Sequence, residues 1–117
     1  MDIQNVVALG QGLYYFVTGV WPLLSIDTFQ KITGPKHDLW LVKTTGLLIA
    51  IIGAVLFVAT LRSMLIPEIA LLALGSAGVL MGVEIVYVLK RVISWIYLLD
   101  AAAELLIIVG WLGALAL

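Results

Sequence analysis

Residues 84–104 read EIVYVLKRVISWIYLLDAAAE and place Glu84, Asp100 and Glu104 inside segments that are otherwise almost wholly apolar. If two membrane helices meet at a tight turn over Lys90–Ile93, a rise of ~1.5 Å per residue sets Glu84 and Asp100 at about the same depth. Glu104 follows Asp100 by four residues, so it shares a helix face and lies roughly 6 Å deeper. Three acids are therefore expected to converge on one region of a bilayer-sized bundle.

Composition fixes the setting. Of the 117 residues, 64% are hydrophobic and 11% charged, against roughly 25% charged in an average soluble domain. Mean hydropathy is +1.24. This pattern predicts an all-α integral membrane four-helix bundle, because four spans of about 20 residues use nearly the whole chain. The formal net charge is −1, with six Lys or Arg residues, so no basic surface is available for nucleic acid. The absence of cysteine excludes disulfides, Fe–S clusters and thiol chemistry. The first residues, MDIQNVV, carry an acid rather than a basic leader, and the first apolar segment is expected to remain in the mature protein.

Four helices are expected, at about 4–24, 39–61, 67–89 and 94–116. The first has Gln11, Tyr15 and Thr18 at helical spacing, a polar stripe that should face inward, with Gly12 and Gly19 nearby for close packing. Residues 25–38, SIDTFQKITGPKHD, read as the one substantial loop, turning at Gly34–Pro35. Asp38 is the expected N-cap of the second helix. Lys43 lies inside that helix and shares a face with Gly46, Leu47, Ala50 and Ala54, along which a neighbour could pack. Pro67 and Glu68 suit the first turn of the third helix, where Gly78 and Gly82 form a G-x-x-x-G pair that suggests close packing. Ser94 is the expected cap of the fourth.

With alternating spans, both termini lie on one side. The other side carries Lys31, Lys36, Lys90 and Arg91, whereas the terminal side has only Arg62. By the positive-inside rule the basic side is cytoplasmic and the termini are outside, as expected for a bacterial cytoplasmic membrane protein.

Buried acids are costly. On insertion scales each costs ~2.5–3.5 kcal/mol, whereas an aliphatic residue returns only ~0.3–0.6, so the last helix is marginal alone and should insert as a hairpin with the third. Lys43 matches Glu84 and Asp100 in depth and is the expected cation of a network with them, which leaves Glu104 without a basic partner. Such a set is read as a polar pocket for a ligand, cation or proton, against the alternative of an ion-pair network that only fixes helix register. Tyr14, Tyr15 and Tyr87 are candidate donors to the acids. Glu68 is expected to serve its helix start, and His37 to be a solvated loop residue. No metal is expected, since such a site would want more His or Cys, and no catalytic motif or cofactor fingerprint appears.

Three stretches, GLYYFVTGVWPLLSIDTFQ, WLVKTTG and IPEIALLALGSAG, resemble the EXPERA-type four-helix membrane proteins, the group of emopamil-binding sterol isomerases and the sigma-2 receptor. The resemblance lies in an aromatic first helix ending in Pro and then Asp27, a Trp-led second helix and a Pro-led third. It implies four spans around a cavity in which acids meet the amine or polar end of a lipid-like ligand. Asp27 is the position that matches an acid of that family; Glu84, Asp100 and Glu104 fall outside its pattern. The chain is also similar in size and topology to small bacterial DoxX-type proteins.

The expected function is therefore a cavity on the cytoplasmic side, lined by Lys43, Glu84, Asp100 and Glu104 with help from Gln11 and Tyr15. It binds, and could transform, a small amphiphile. Membrane lipids are its surroundings. The alternatives are a proton- or cation-coupled carrier working as a homodimer, with Glu104 titrating, and an accessory subunit that buries this face against a partner.

Overall fold

The computed structural model describes residues 2–117 and is all-helical. Four long helices, α1 (Ile3–Leu24), α3 (Leu39–Leu61), α4 (Pro67–Leu89) and α5 (Tyr97–Ala116), are each long and apolar enough to cross a membrane. A 23-residue helix is about 35 Å long, a little more than the hydrocarbon thickness of a bilayer. Large side chains such as Leu13, Val17, Ile51, Leu71, Val79 and Leu106 remain exposed on the outer faces. That apolar exterior is the surface a bilayer solvates.

The segment expected to be a loop contains a further helix, α2 (Ile26–Thr33). Ser25 makes the corner: its N–H donates to the Trp21 carbonyl, closing α1, while its hydroxyl accepts from the Thr28 N–H and opens α2. Asp27 in the first turn and Lys31 in the last suit the helix dipole. Gly34 ends α2 at φ +100°, a conformation that favours glycine. The indole of Trp21 donates to the Thr28 hydroxyl at 3.0 Å and meets the Phe29 ring edge-on at 5.2 Å. These contacts fold α2 back across the end of the bundle.

The turn after α4 is tighter than a simple break, and it shortens α5. Arg91 takes a left-handed conformation at φ 60°, and the Val92 N–H returns to the Tyr87 carbonyl at 2.8 Å, the Schellman arrangement that satisfies orphaned carbonyls. Helix α5 starts at Tyr97 rather than Ser94. The Ser94 hydroxyl instead accepts from the Ile96 N–H at 3.3 Å, within the turn.

Helices α1 and α3 form one closely packed pair and α4 and α5 another, joined mainly through α1 and α5; α3 and α4 barely touch. The first pair is set by glycines in antiparallel register. A Cβ on Gly19 would lie 2.4 Å from the Gly46 carbonyl oxygen, and one on Gly53 would lie 2.5 Å from that of Gly12. The backbones touch where only hydrogen fits. By contrast, Gly75, Gly78 and Gly82 of α4 face open space, so the expected G-x-x-x-G contact is not made within the chain. At the terminal end, Ala8, Leu56, Ala70, Ala73 and Trp111 form the core. There the Gln11 amide donates to the Ala73 carbonyl at 3.0 Å and its oxygen accepts from the Trp111 indole at 2.7 Å. Gln11 thus ties α1 to both α4 and α5, which fills that half of the bundle and leaves the other half for a cavity.

Candidate functional site

The cavity occupies the half of the bundle near α2 and has a volume of about 540 Å³. Its walls are largely apolar, with Val42 and Ile49 from α3, Leu80 and Val83 from α4, and Ile93 and Ile96 from the turn before α5. Side chains of α2 and the following turn close one end, through Phe29, Thr33 and Lys36. Several lining residues on the rim, Leu41, Val83, Leu99 and Ile32, are also exposed. The cavity therefore has an exposed apolar rim.

Glu84, Asp100 and Glu104 line this cavity together. One carboxylate oxygen from each lies within 4.8 Å of the others. Opposite them, adjacent tyrosines of α1 hold two of the three: the Tyr14 hydroxyl donates to Asp100, and the Tyr15 hydroxyl donates to Glu104 at 2.5 Å. Consecutive helix positions diverge by about 100°, so Tyr14 and Tyr15 straddle the direction of α5 and reach acids four residues apart. Tyr15 and Glu104 are each only 1% exposed, which makes this contact part of the bundle's interior. The third acid is different. Glu84 is 6% exposed, yet its Oε1 has no hydrogen-bond partner.

The expected cation is not there. Lys43 is half-buried, does not line the cavity and bonds to none of the acids. The residues of α3 that line the cavity are Leu41, Val42, Thr45, Gly46 and Ile49, and Lys43 points elsewhere on a helix of 3.6 residues per turn. Continuing the Gly19–Gly46 register by one turn sets Lys43 level with Pro22, where α1 is ending and offers no acid. Among the described residues, no carboxylate is paired with a lysine or arginine.

The basic residue that does line the cavity is Lys36, which the sequence offered only as part of the basic side. Its Nζ donates to the Thr33 carbonyl at 3.1 Å, the Thr33 hydroxyl at 3.2 Å and the Gly34 carbonyl at 2.8 Å. It thereby caps the end of α2. It also lies 5.7 Å from the Phe29 ring centre and 5.1 Å from that of Tyr97, within cation–π range. Burial pushes its ammonium below the usual lysine range. The Gly34–Pro35 turn folds Lys36 back over α2, and no local sequence pattern announces that.

Other expected positions separate from the site. Gln11 serves the Ala73–Trp111 link at the far end and does not line the cavity. Asp27 is exposed on α2 beside a shallow depression with Gln30, Lys31 and Pro35, because the first turn of α2 directs it away from the bundle. Tyr87 is exposed as well, with Lys90 5.8 Å from its ring centre. Tyr97, at the start of α5, and Thr18, from the polar stripe of α1, both line the cavity.

The oxygen spacing of Glu84, Asp100 and Glu104 suits a hard cation as well as a hydrogen-bonding head group. Comparison of the chain with models of protein families, with curated proteins and with solved structures gives no match.

Proposed function

We propose that this chain is a membrane protein that binds a small lipid-like amphiphile in the cavity, with its polar end at Glu84, Asp100 and Glu104 and its apolar part along the α3 and α4 walls. The observation that carries this reading is an apolar cavity with three carboxylates at one place, one of them with a free oxygen. A void of this size in a packed bundle forfeits dispersion contacts that an apolar occupant would restore. Tyr14 and Tyr15 hold Asp100 and Glu104 in place before a ligand arrives, and such preorganisation lowers the cost of binding.

The basic end of the bundle, with Lys31, Lys36, Lys90 and Arg91, faces the cytoplasm on this reading, which places the cavity in the inner-leaflet half and both termini outside. The resemblance to EXPERA-type proteins points to the same class of ligand. A carrier would need access from both faces. The terminal half of the bundle is filled by Leu56, Trp111 and the Gln11 link, and this favours a binder over a carrier.

Native mass spectrometry of gently extracted protein tests the proposal. A lipid-like molecule bound one to one, and lost when Leu80 and Val83 are both replaced by Trp to fill the cavity, is the expected result. Protein that is ligand-free and remains so when incubated with extracted membrane lipids would refute it.

A further inference from the structure

Three carboxylates sharing one apolar cavity need more than tyrosine hydroxyls, and the free oxygen of Glu84 marks where the remainder is missing. Asp100 and Glu104 each accept a phenol hydrogen bond. Of the other donors in the cavity, the Thr18 hydroxyl bonds the Tyr14 carbonyl at 2.7 Å, the Thr33 hydroxyl the Phe29 carbonyl at 2.7 Å, and Lys36 Nζ Thr33 and Gly34; the Tyr97 and Thr45 hydroxyls also line it, and neither bonds Glu84 Oε1. Lys43 faces elsewhere. Glu84, which lines the cavity, thus keeps a buried Oε1 without a partner, with two further carboxylates beside it and, among the described residues, no lysine or arginine paired with any of them.

We propose that the base of the cavity is a cation site in which Glu84 is the principal contact and Asp100 and Glu104 complete the charge. This deepens the amphiphile reading by naming its polar end, since the cation is either the ammonium head of that amphiphile or a free inorganic ion. Geometry allows both sources. An ammonium nitrogen that donates to two oxygens at ~2.8 Å spans them by about 4.6 Å at tetrahedral angles, close to the 4.8 Å within which the three oxygens lie. A calcium-sized ion with ligands at ~2.3–2.6 Å also fits between them. An uncharged donor such as an alcohol would satisfy Glu84 Oε1, whereas a cation also offsets the repulsion that ionising a second or third carboxyl at one place incurs.

The test uses the full chain in an uncharged maltoside detergent, with quenching of Trp21, which lines the cavity, and thermal unfolding as readouts. Dodecylammonium and dodecanol share an alkyl chain and differ in head charge. Wild-type protein should bind dodecylammonium at least ten-fold more tightly than dodecanol, and Glu84→Gln should remove that advantage. If calcium or sodium chloride alone raises the unfolding temperature of wild type but not of Glu84→Gln, the cation is inorganic; the cation site then stands, and the amphiphile reading depends on its own test. Equal binding of dodecylammonium and dodecanol to wild type, with no effect of either salt, overturns the cation site without touching the amphiphile reading. That comparison needs no variant to fold. Unchanged cation binding in Glu84→Gln overturns it as well.

Discussion

Replacing Gly19 by Ala should separate α1 from α3, and the cost can be worked from the contact itself. The added Cβ would sit 2.4 Å from the Gly46 carbonyl oxygen and 2.6 Å from the Ala50 nitrogen. Both are backbone atoms of α3 and cannot rotate aside. Ordinary contact begins at about 3.4 Å, so the two helices must part by about 1 Å at this level, and a gap of that size forfeits a quarter to a half of each dispersion contact it opens. Overpacking of this kind typically costs about 1–3 kcal/mol. The better helix propensity of Ala returns ~0.8–1.0 kcal/mol at most. With rigid backbone on both sides, a net loss of about 2 kcal/mol is expected from the upper part of that range. Gly75→Ala is the matched control, because nothing lies within 4 Å of its added carbon; it should be neutral or stabilising by up to ~1 kcal/mol. Circular-dichroism melts in one detergent, with SDS titration as a second probe, would then show Gly19→Ala unfolding earlier than wild type and Gly75→Ala no earlier. Indistinguishable melts for the two variants would refute the close α1–α3 register, and with it the placement of Gly46 and Pro22 in the cavity wall.

Gln11→Leu should orphan the buried Trp111 N–H and cost about 1–3 kcal/mol in the same unfolding assay. Adding Trp111→Phe should cost less than the sum of the two single changes, and strict additivity would argue against the hydrogen bond between them. Lys36 gives a pH signature of definite sign. Burial lowers its pKa in the folded state, so just below the ordinary lysine value of 10.5 the folded chain binds fewer protons than the unfolded chain and stability rises with pH. The penalty for burying the charged form is complete at neutral pH and is relieved as pH climbs through the folded value. The difference in melting temperature between wild type and Lys36→Met should therefore move in favour of wild type between pH 8 and 10.5; a flat difference would mean that Lys36 is not desolvated at the cavity.

The all-helical fold was legible because its cause is local. An uncharged or nearly uncharged run of about 20 residues has few alternatives in a bilayer, where backbone polar groups must bond within the segment. Helices α3 and α4 accordingly have the expected bounds, 39–61 and 67–89. Helix α2 was missed because its eight residues are too polar and too short for that signal, although Ser25 as N-cap, Asp27 and Lys31 carried the ordinary marks of a short helix.

The sequence by itself determined that Glu84, Asp100 and Glu104 would come together. They flank one hairpin, and helical rise and period leave little freedom between positions so close along the chain. What answers those acids was a tertiary decision. Lys43, Gln11 and Asp27 had suitable chemistry, but the side a helix turns to its neighbour depends on packing across the bundle. Here the Gly12–Gly53 and Gly19–Gly46 contacts fix α1 against α3. That register, together with α1 packing on α5, presents Tyr14 and Tyr15 to the acids, sends Gln11 to Trp111 and turns Lys43 away, leaving one oxygen of Glu84 without a hydrogen-bond partner among the described residues.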